Sequence, residues 1–485
     1  MSRPFLSSRL AFLLIAGCLV NLQTGHAAAK EAPEGQIILS PASLFSFTEV
    51  KTGMFSDVQF YEVGGHGLES ELTVSVSGPF RLSLHCLEGY TGSLSLTPDE
   101  GILQDTRVYV RFFPQETGLQ EGSIVHQSEG AEDQSLSLTG SGVGSLIPQE
   151  YYTNATGGGI QLKTSLHQII NGHNIQSYSG IWTHFESTDS RFDGSVWDMY
   201  SDVPCADPPY RYSFFTDQDV GLAGNKEGEV YNREHSMPRS WFGGAISPMN
   251  TDLHHIYPSD KWVNARRDNY PYAEVDQPQW TSLNGSRLGH STTMGYSGLA
   301  FEPIDAYKGD LARALFYMVT CYQDQLTEWD GSPEGNSILA QNSYPAFHPW
   351  AVDMLVEWHE NDPVSQKEVL RNHAVYQIQG NRNPFVDHPE FVGKIWGDTT
   401  LSSGKFAGPH ILRVFPNPVQ GNFMFEASEE IQSIRLVNLW GMVVFNSHPH
   451  STTARITLPA LPEGVYLIQF IGKERRHHQK VIIAP

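Results

Sequence analysis

The sequence predicts a multidomain fold in which an all-β sandwich comes first, an α+β domain second and a small all-β domain last. A chain of 485 residues, 40% of them hydrophobic, is too long for one ordinary core. Short alternating segments without helical spacing fill residues 34–144. A helical period appears after residue 148, and alternating segments return from residue 412. We therefore expect about three domains.

Residues 1–29 are predicted to be a secretory signal peptide. Two arginines precede the apolar run Leu10–Val20, and the small residues Ala27–Ala29 follow it. This run is too short to span a bilayer comfortably. The residues before Cys18 also resemble a lipoprotein cleavage box, which would leave a lipid-anchored cysteine at the mature end. Export is favoured over a retained membrane segment in either case.

The region 34–144 is predicted to be a β-sandwich. Three alternating segments support this, each bounded by Gly, Pro, Ser or Asp: Glu71–Ser77, Phe80–Leu84 and Arg107–Phe112. The surroundings of Phe112, followed by several glycines, resemble the immunoglobulin-like modules of bacterial surface proteins. Because no catalytic constellation occurs in this region, we expect it to act as a spacer or an adhesive module.

Three cysteines, Cys86, Cys205 and Cys321, follow the predicted signal peptide. In an exported chain an odd number suggests one disulfide and one leftover thiol. We predict the pair Cys205–Cys321, because both residues lie in the central domain. The alternative, three buried free thiols, stays open at this point.

The central domain, residues 148–398, is predicted to be α+β. Apolar residues recur at helical spacing over Leu162–Ile170, and Gly172 can end this helix. Further helices are predicted over about Gly309–Tyr322 and around Trp350–Trp358. Regions rich in Tyr, Trp, Pro and Gly lie between these helices, so we expect long loops.

The overall charge argues against a general surface for nucleic acid. The net charge is −22 at pH 7, whereas nucleic-acid binders usually present a basic surface that neutralises phosphates. Contact with a phosphate backbone must therefore depend on a local site and on bound cations, which bring their own positive charge.

One short segment nevertheless combines the residue types that phosphodiester hydrolysis needs. Cleavage requires a base, a nucleophile, and positive charge on the phosphate. His235 suits the base, because an unperturbed imidazole titrates close to neutral pH. Glu234 and Asn264 suit one Mg²⁺ ion, with Mn²⁺ or Ca²⁺ as alternatives, because their oxygens are hard ligands.

The order of the predicted elements supports this grouping. We predict that Val230–Glu234 and Leu253–Tyr257 pair as strands, and that a helix follows with Ser259 as its N-cap. Asn264 then lies in the middle of that helix. The neighbouring Glu and His would point to opposite sides of a regular strand, so both can serve one centre only if the strand breaks there.

Basic residues near Asn264 are the candidates for contact with the phosphate. Lys261 and Arg267 lie three residues before and after it, near the same face of the predicted helix. Arg239 and Arg266 are further substrate-binding candidates. Taken singly, Glu234 beside Arg233 is more often a surface ion pair and Asn264 an ordinary helix amide, so the assignment depends on the whole set.

These residues belong to several sequence blocks that resemble the endonuclease I family, extracellular and periplasmic enzymes of the ββα-metal, or His-Me finger, class. The resemblance covers roughly residues 148–396. Its blocks are Val196–Ser201, Arg233–His235, Asp252–His255, Val263–Asn264, Phe301–Pro303, Lys308–Arg313 and Gln379–Phe385.

The resemblance implies a role for each site residue. It implies that His235 is the general base, that Glu234 and Asn264 hold the metal, and that an arginine stabilises the phosphorane. Arg267 is the best match for that arginine, and Arg239 is the second. The resemblance also implies that the substrates are DNA and RNA, cleaved with little sequence preference.

Residues 399–411 are predicted to be a linker, and residues 412–485 a small all-β domain. This domain opens with Pro416–Pro418, contains the strand Gly464–Phe470 and ends in a basic and then apolar segment. It resembles the C-terminal sorting domain of the type IX secretion system of Bacteroidetes. The resemblance implies export through the periplasm to a secreted or surface-attached state, with the type IX machinery as partner. We predict no stable protein partner.

Two hypotheses of different classes follow from the sequence. The leading one is a secreted, Mg²⁺-dependent endonuclease that hydrolyses DNA and RNA. The alternative is a catalytically inactive cell-surface protein, used for binding or adhesion, that keeps the nuclease fold. The presence of Glu234, His235 and Asn264 favours the first.

Overall fold

The computed structural model describes most of the chain after the N-terminus. The described residues are 35–221, 224–397, 412–415, 419–437, 443–459, 461–472 and 476–483. The predicted signal peptide and the predicted linker lie outside these ranges. None of the described helices has the length and apolar character needed to cross a membrane.

The N-terminal region, residues 35–143, forms two β-sheets around one hydrophobic core. One sheet has the strand order β1-β3-β7-β5 and the other β2-β9-β8-β4-β6. In β7 the side chains of Val108, Val110 and Phe112 are fully buried, as the alternating pattern predicts. The predicted β-rich character of this region is confirmed, and its immunoglobulin-like classification stays a prediction. The strands are β1 Gln36–Ser40, β2 Phe47–Lys51, β3 Gln59–His66, β4 Leu72–Val76, β5 Phe80–Ser83, β6 Ser93–Leu96, β7 Ile102–Phe112, β8 Gly118–Gln127 and β9 Gln134–Val143.

The central domain contains helices packed around one buried helix, α4, together with two small sheets. Every residue of α4 is buried, because α1, α6 and α8 pack against it. The elements are α1 Gly159–Ile170, α2 Ile181–Thr188, β10 Tyr231–His235, β11 Ile256–Asp260, α3 Lys261–Arg267, β12 Pro278–Thr281, β13 Arg287–His290, β14 Leu299–Glu302, α4 Lys308–Cys321, α5 Pro333–Ile338, α6 Pro349–Asn361, α7 Gln366–Gln379, α8 Pro384–Asp387 and α9 Glu390–Trp396.

The three helices predicted for this domain are all present, as α1, α4 and α6. Helix α1 ends at Ile170 with Asn171 as its C-cap, and the predicted stop, Gly172, follows directly in the left-handed region with φ 74°. Helix α7 has a capping box, in which the Ser365 side chain and the Glu368 side chain each bind the other's backbone N–H. Gly380 ends α7 in the left-handed conformation with φ 81°.

The C-terminal region is a single sheet with its own core. In the described part of this region six strands form the sheet, and the long strand β16 pairs with β15, β17, β18 and β19. Buried apolar residues such as Phe425, Ile434 and Phe470 fill the core. The predicted small all-β domain is therefore confirmed. The strands are β15 Leu412–Phe415, β16 Asn422–Val437, β17 Val443–Ser447, β18 Ser451–Thr457, β19 Gly464–Gly472 and β20 Arg476–Ile483.

The predicted disulfide is wrong. Cys205 pairs with Cys86 of the N-terminal region, with a Cα–Cα distance of 5.6 Å, and Cys321 is a buried free thiol. Cys321 belongs to α4 and lies inside the helical core, whereas the backbone of Cys205 contacts β7, where Tyr109 Oη donates to its carbonyl. The spacing of cysteines in a sequence does not show which of them face each other across a domain boundary.

Polar contacts also join the N-terminal region to the central domain. The Gln366 side chain accepts a hydrogen bond from Lys51 N at 3.0 Å and donates one to Glu49 O at 2.9 Å. Phe45 and Phe192 meet across the same boundary with ring centroids 5.1 Å apart. Together with the disulfide, these contacts hold the N-terminal region against the central domain.

Candidate active site

Two short strands and the helix that follows them form the frame of the candidate site. β10 and β11 pair antiparallel, with Glu234 opposite Tyr257, and α3 begins directly after β11. The N-cap of α3 is Asp260, whose carboxylate accepts a hydrogen bond from Val263 N at 2.8 Å. The predicted cap, Ser259, is therefore wrong by one residue, because β11 extends through Asp260. β10 runs in regular register through both Glu234 and His235, so the strand ends directly after these residues and not between them.

The Glu234 carboxylate is buried and held through one of its oxygens. Oε1 accepts hydrogen bonds from Tyr200 Oη at 2.9 Å and Tyr272 Oη at 3.4 Å. The same oxygen lies 3.3 Å from the Arg267 guanidinium. Burial raises the pKa of Glu234 despite these favourable partners. All of these contacts use Oε1, which leaves Oε2 as the oxygen suited to a cation.

The His235 imidazole is buried beside Glu234 and held in one orientation. Its Nε2 lies 3.1 Å from Asn250 O, and its ring stacks on Tyr178 with centroids 6.2 Å apart. Burial lowers the pKa of His235 well below its usual value, and the nearby His255 and Arg239 act in the same direction. The ring is therefore neutral at neutral pH. Because a carbonyl accepts from Nε2–H, the unprotonated nitrogen is Nδ1, which is able to accept a proton.

Asn264 lies on α3, and its amide group contacts β10. Its Nδ2 donates to Asn232 Oδ1 at 2.8 Å and approaches Arg233 O at 3.5 Å. These contacts use the amide nitrogen, so the Asn264 oxygen remains as a potential ligand. Packing of α3 across β10 thus brings Asn264 into the neighbourhood of Glu234 and His235.

Arg267 lies inside the protein, where it contacts the end of β10. Its guanidinium donates to His235 O at 3.1 Å and to Ser236 O at 2.7 Å, and it pairs with Glu234. The side chain is only 1% exposed. This position gives Arg267 the geometry of a group that holds the Glu–His segment in place, and not that of a group presented to solvent.

The other predicted basic residues differ in their exposure. Arg239 is exposed, and its charge acts on the pKa of both His235 and Arg233. Arg266 is also exposed and lies over the Trp262 ring at 4.4 Å. Lys261 is half-buried and forms an ion pair with Asp219 at 2.9 Å.

Several residues that support the site were not singled out from the sequence. Arg233 lies 3.6 Å over the Tyr178 ring and donates to Tyr178 O at 2.6 Å. Tyr200 and Tyr272 hold Glu234. The only available signal for Tyr200 was its place in the Val196–Ser201 block, and nothing in the sequence connects Tyr178 to His235.

The donor set at Glu234 and Asn264 fits a hard divalent cation. A carboxylate oxygen and an amide oxygen suit Mg²⁺, which keeps several waters and binds few protein ligands. The commitment of Asn264 Nδ2 to Asn232 and of Glu234 Oε1 to its three partners leaves one oxygen on each side chain for such an ion.

A second group of potential ligands lies in the helical core. The ligand atoms of His173, Asp252 and Cys321 are within 4.8 Å of one another. Asp252 Oδ2 also accepts hydrogen bonds from Tyr317 at 2.8 Å and Tyr322 at 2.7 Å. Because this oxygen already accepts two hydrogen bonds, we interpret the group as a structural hydrogen-bond network.

Comparison with known proteins matches two parts of the chain to protein families. Residues 158–390 match the endonuclease I family, and residues 413–484 match the secretion system C-terminal sorting domain. An extracellular ribonuclease of Bacillus amyloliquefaciens is 35% identical over 258 residues, which cover 51% of this chain and 78% of that protein. An extracellular ribonuclease of Bacillus subtilis (strain 168) is 34% identical over 280 residues, which cover 54% of this chain and 87% of that protein. Endonuclease-1 of Buchnera aphidicola subsp. Baizongia pistaciae (strain Bp) is 25% identical over 170 residues, which cover 32% of this chain and 60% of that protein.

Proposed function

Because this chain belongs to the endonuclease I family and carries a type IX secretion sorting domain, we propose that it is a secreted endonuclease that cleaves DNA and RNA with one Mg²⁺ ion. Membership of the family does not by itself give the substrates, the metal or the roles of single residues. We propose these three. The contacts that support the proposal are those of Arg267 with Glu234 and His235 O and of Asn264 with Arg233 O, which hold α3 against the β10 segment that carries Glu234 and His235.

In the proposed mechanism His235 is the general base. Its Nε2–H is held by Asn250 O, so Nδ1 accepts the proton of the attacking water. The lowered pKa keeps the ring neutral, and therefore able to accept, at neutral pH. A bound Mg²⁺ supplies positive charge for the phosphate and the leaving oxygen.

The remaining side chains hold the reacting groups in position. Glu234 and Asn264 are the proposed metal ligands in a ββα-metal arrangement. Arg267 fixes the segment from Glu234 to Ser236 through the carboxylate and two carbonyls. We assign the contact with the scissile or flanking phosphate to Arg239, because it is exposed and its charge reaches His235. Arg266 and Lys261 are proposed to bind the nucleic acid further along its backbone.

Plasmid nicking with the full chain tests this function. We expect cleavage with Mg²⁺, no cleavage with EDTA, and a decrease of about 10²- to 10⁴-fold for His235→Ala, the usual contribution of a general base. His290→Ala, a change at an exposed histidine outside the site, is the matched control and should cleave normally. Cleavage that persists in EDTA, or that His235→Ala leaves unchanged, would contradict the mechanism. Complete absence of cleavage would favour the inactive binding protein.

A further inference from the structure

A large cleft lies between the N-terminal region and the central domain. Its volume is about 710 Å³, and residues from both sides of the boundary line it. Small-molecule sites have volumes of roughly 300–1,000 Å³ and occur preferentially at domain interfaces. The Cys86–Cys205 disulfide and the Gln366 hydrogen bonds hold the two sides in register.

Two arginines in this cleft have hydrogen-bonding capacity that the protein does not use. Arg111 lies on β7, and Arg191 follows α2. The Nε atom of each is buried and has no hydrogen-bond partner among the described residues. Asp202 pairs with Arg191, but through Nη1. A buried N–H without a partner is unfavourable, so oxygens of an anion between these side chains would restore the lost hydrogen bonds.

The other ionisable groups in the cleft are compatible with an anion. Lys367 Nζ donates to Thr188 O and Ser190 O, each at 3.1 Å, and burial lowers the pKa of Lys367 to about 8. Asp57 faces Lys367 and both arginines, and burial raises the pKa of its carboxyl group. Three cationic side chains thus face one carboxyl group, and this excess of positive charge favours an anion. Of the remaining charged groups, Arg371 is paired with Asp189, and Glu49 and His373 complete the lining.

Aromatic side chains lie next to these charges. Phe192 lines the cleft and is 48% exposed, and it contacts Phe45, which is 52% exposed. Phe55 also lines the cleft. Aromatic faces of this kind stack on nucleobases.

We propose that this cleft binds a nucleotide through a terminal phosphate, with Arg111 and Arg191 on the phosphate and Phe192 against the base. The choice of a nucleotide as the anion rests on the proposed function, since a nuclease produces such ends. The cleft is separate from the active site. Tyr178, just before α2, stacks on His235, whereas Thr188 at the other end of α2 lines the cleft.

Isothermal titration calorimetry of the full chain in EDTA tests this site. Adenosine 5′-monophosphate should bind at least about tenfold more tightly than inorganic phosphate or adenosine, because only the nucleotide uses both halves of the cleft. Arg111→Met and Arg191→Met should each weaken nucleotide binding by about tenfold to hundredfold, the usual effect of losing a charge-assisted hydrogen bond. Asp57→Asn should bind at least as tightly as the wild type, since the change removes a carboxyl group that faces both arginines.

Arg81→Met is the matched control. Arg81 lies opposite Arg111 on β5 but is not among the residues that line the cleft, and in the described part of the chain it donates to the carbonyls of Gly78 and Phe80. Its loss should therefore weaken binding much less than Arg111→Met does. Equal affinities for nucleotide and phosphate, unchanged affinity in both arginine variants, or no binding at all would overturn the proposal.

Plasmid cleavage separates the two proposals, because Arg111→Met should cleave within about twofold of the wild type. Nucleotide binding without cleavage would contradict only the nuclease function, and cleavage without binding would contradict only the cleft.

Discussion

At the scale of single residues, burial decides what each charged side chain near β10 is able to do. Arg267 and Arg239 are both candidates for the phosphate contact by sequence, yet they differ in environment. Arg267 is 1% exposed, and its two Nη atoms contact Glu234, His235 and Ser236. Arg239 is exposed. We therefore assign structural support to the first and substrate contact to the second.

Replacing each arginine by methionine separates these roles. Arg267→Met leaves the buried Glu234 without its cation and should lower the free energy of unfolding by about 3–5 kcal/mol, as when one partner of a buried ion pair is removed. Arg239→Met should lower kcat/KM by about tenfold to hundredfold and change the stability by less than about 0.5 kcal/mol. Urea denaturation and cleavage rates measure both effects. The opposite pattern would reverse the two assignments.

Lys163 provides a pH test away from the candidate site. Its amine is buried and donates to Val319 O at 2.6 Å, and burial lowers the pKa of Lys163 to about 7. Between this value and the ordinary lysine pKa of about 10.4, the unfolded chain binds more protons than the folded one, so stability attributable to Lys163 rises with pH. From pH 7 to pH 9 the free energy of unfolding of the wild type, relative to Lys163→Met, should rise by about 2 kcal/mol. A constant difference in urea denaturation between the two pH values would contradict this.

At the scale of elements, the β10–β11–α3 unit depends on one capping carboxylate. Asp260 Oδ1 caps α3, while Oδ2 accepts hydrogen bonds from Tyr212 Oη at 2.5 Å and Gly228 N at 2.8 Å. Asp260 N in turn donates to the buried Asp198 at 2.9 Å. Because α3 carries Asn264 and Arg267, the position of this cap sets where both side chains meet β10.

Asp260→Ala should therefore destabilise the protein more than the loss of an ordinary cap. The change removes a cap of about 1 kcal/mol and leaves two further donors without their acceptor, for a total of about 2–4 kcal/mol in the free energy of unfolding. Ser259→Ala removes the residue that the sequence indicated as the cap and should cost clearly less. Thermal or urea denaturation of the two variants measures the difference. An equal loss of unfolding free energy in Asp260→Ala and Ser259→Ala would contradict the assignment of Asp260 as the cap of α3.

At the scale of the whole molecule, the N-terminal region is covalently joined to the central domain. The Cys86–Cys205 disulfide closes a loop with a sequence separation of 119. In the chain-entropy model a loop of this size contributes about 4–5 kcal/mol, chiefly by restricting the unfolded chain. The joined boundary also forms the walls of the proposed nucleotide cleft.

Removing this disulfide should be costly, whereas removing the free thiol should not. Cys86→Ser with Cys205→Ser is expected to lower the free energy of unfolding by several kcal/mol, about 2–5 kcal/mol for a native disulfide. Cys321→Ala, which removes a buried thiol without a disulfide, should change it by less than about 1.5 kcal/mol. Denaturation in the absence of reductant measures both. A large loss for Cys321→Ala alone would contradict the assigned pairing.

The sequence by itself determined the β–α+β–β order, the three main helices and the grouping of Glu234, His235 and Asn264 on neighbouring elements. Those features follow from periodicity and short-range spacing, which a linear chain displays directly. Only the tertiary structure decided that Cys205 meets Cys86, that Arg267 faces inward and that Arg111 and Arg191 share a cleft. Each of these depends on contacts between residues far apart in the chain, and burial, which sets the chemistry of a charge, arises only from such contacts.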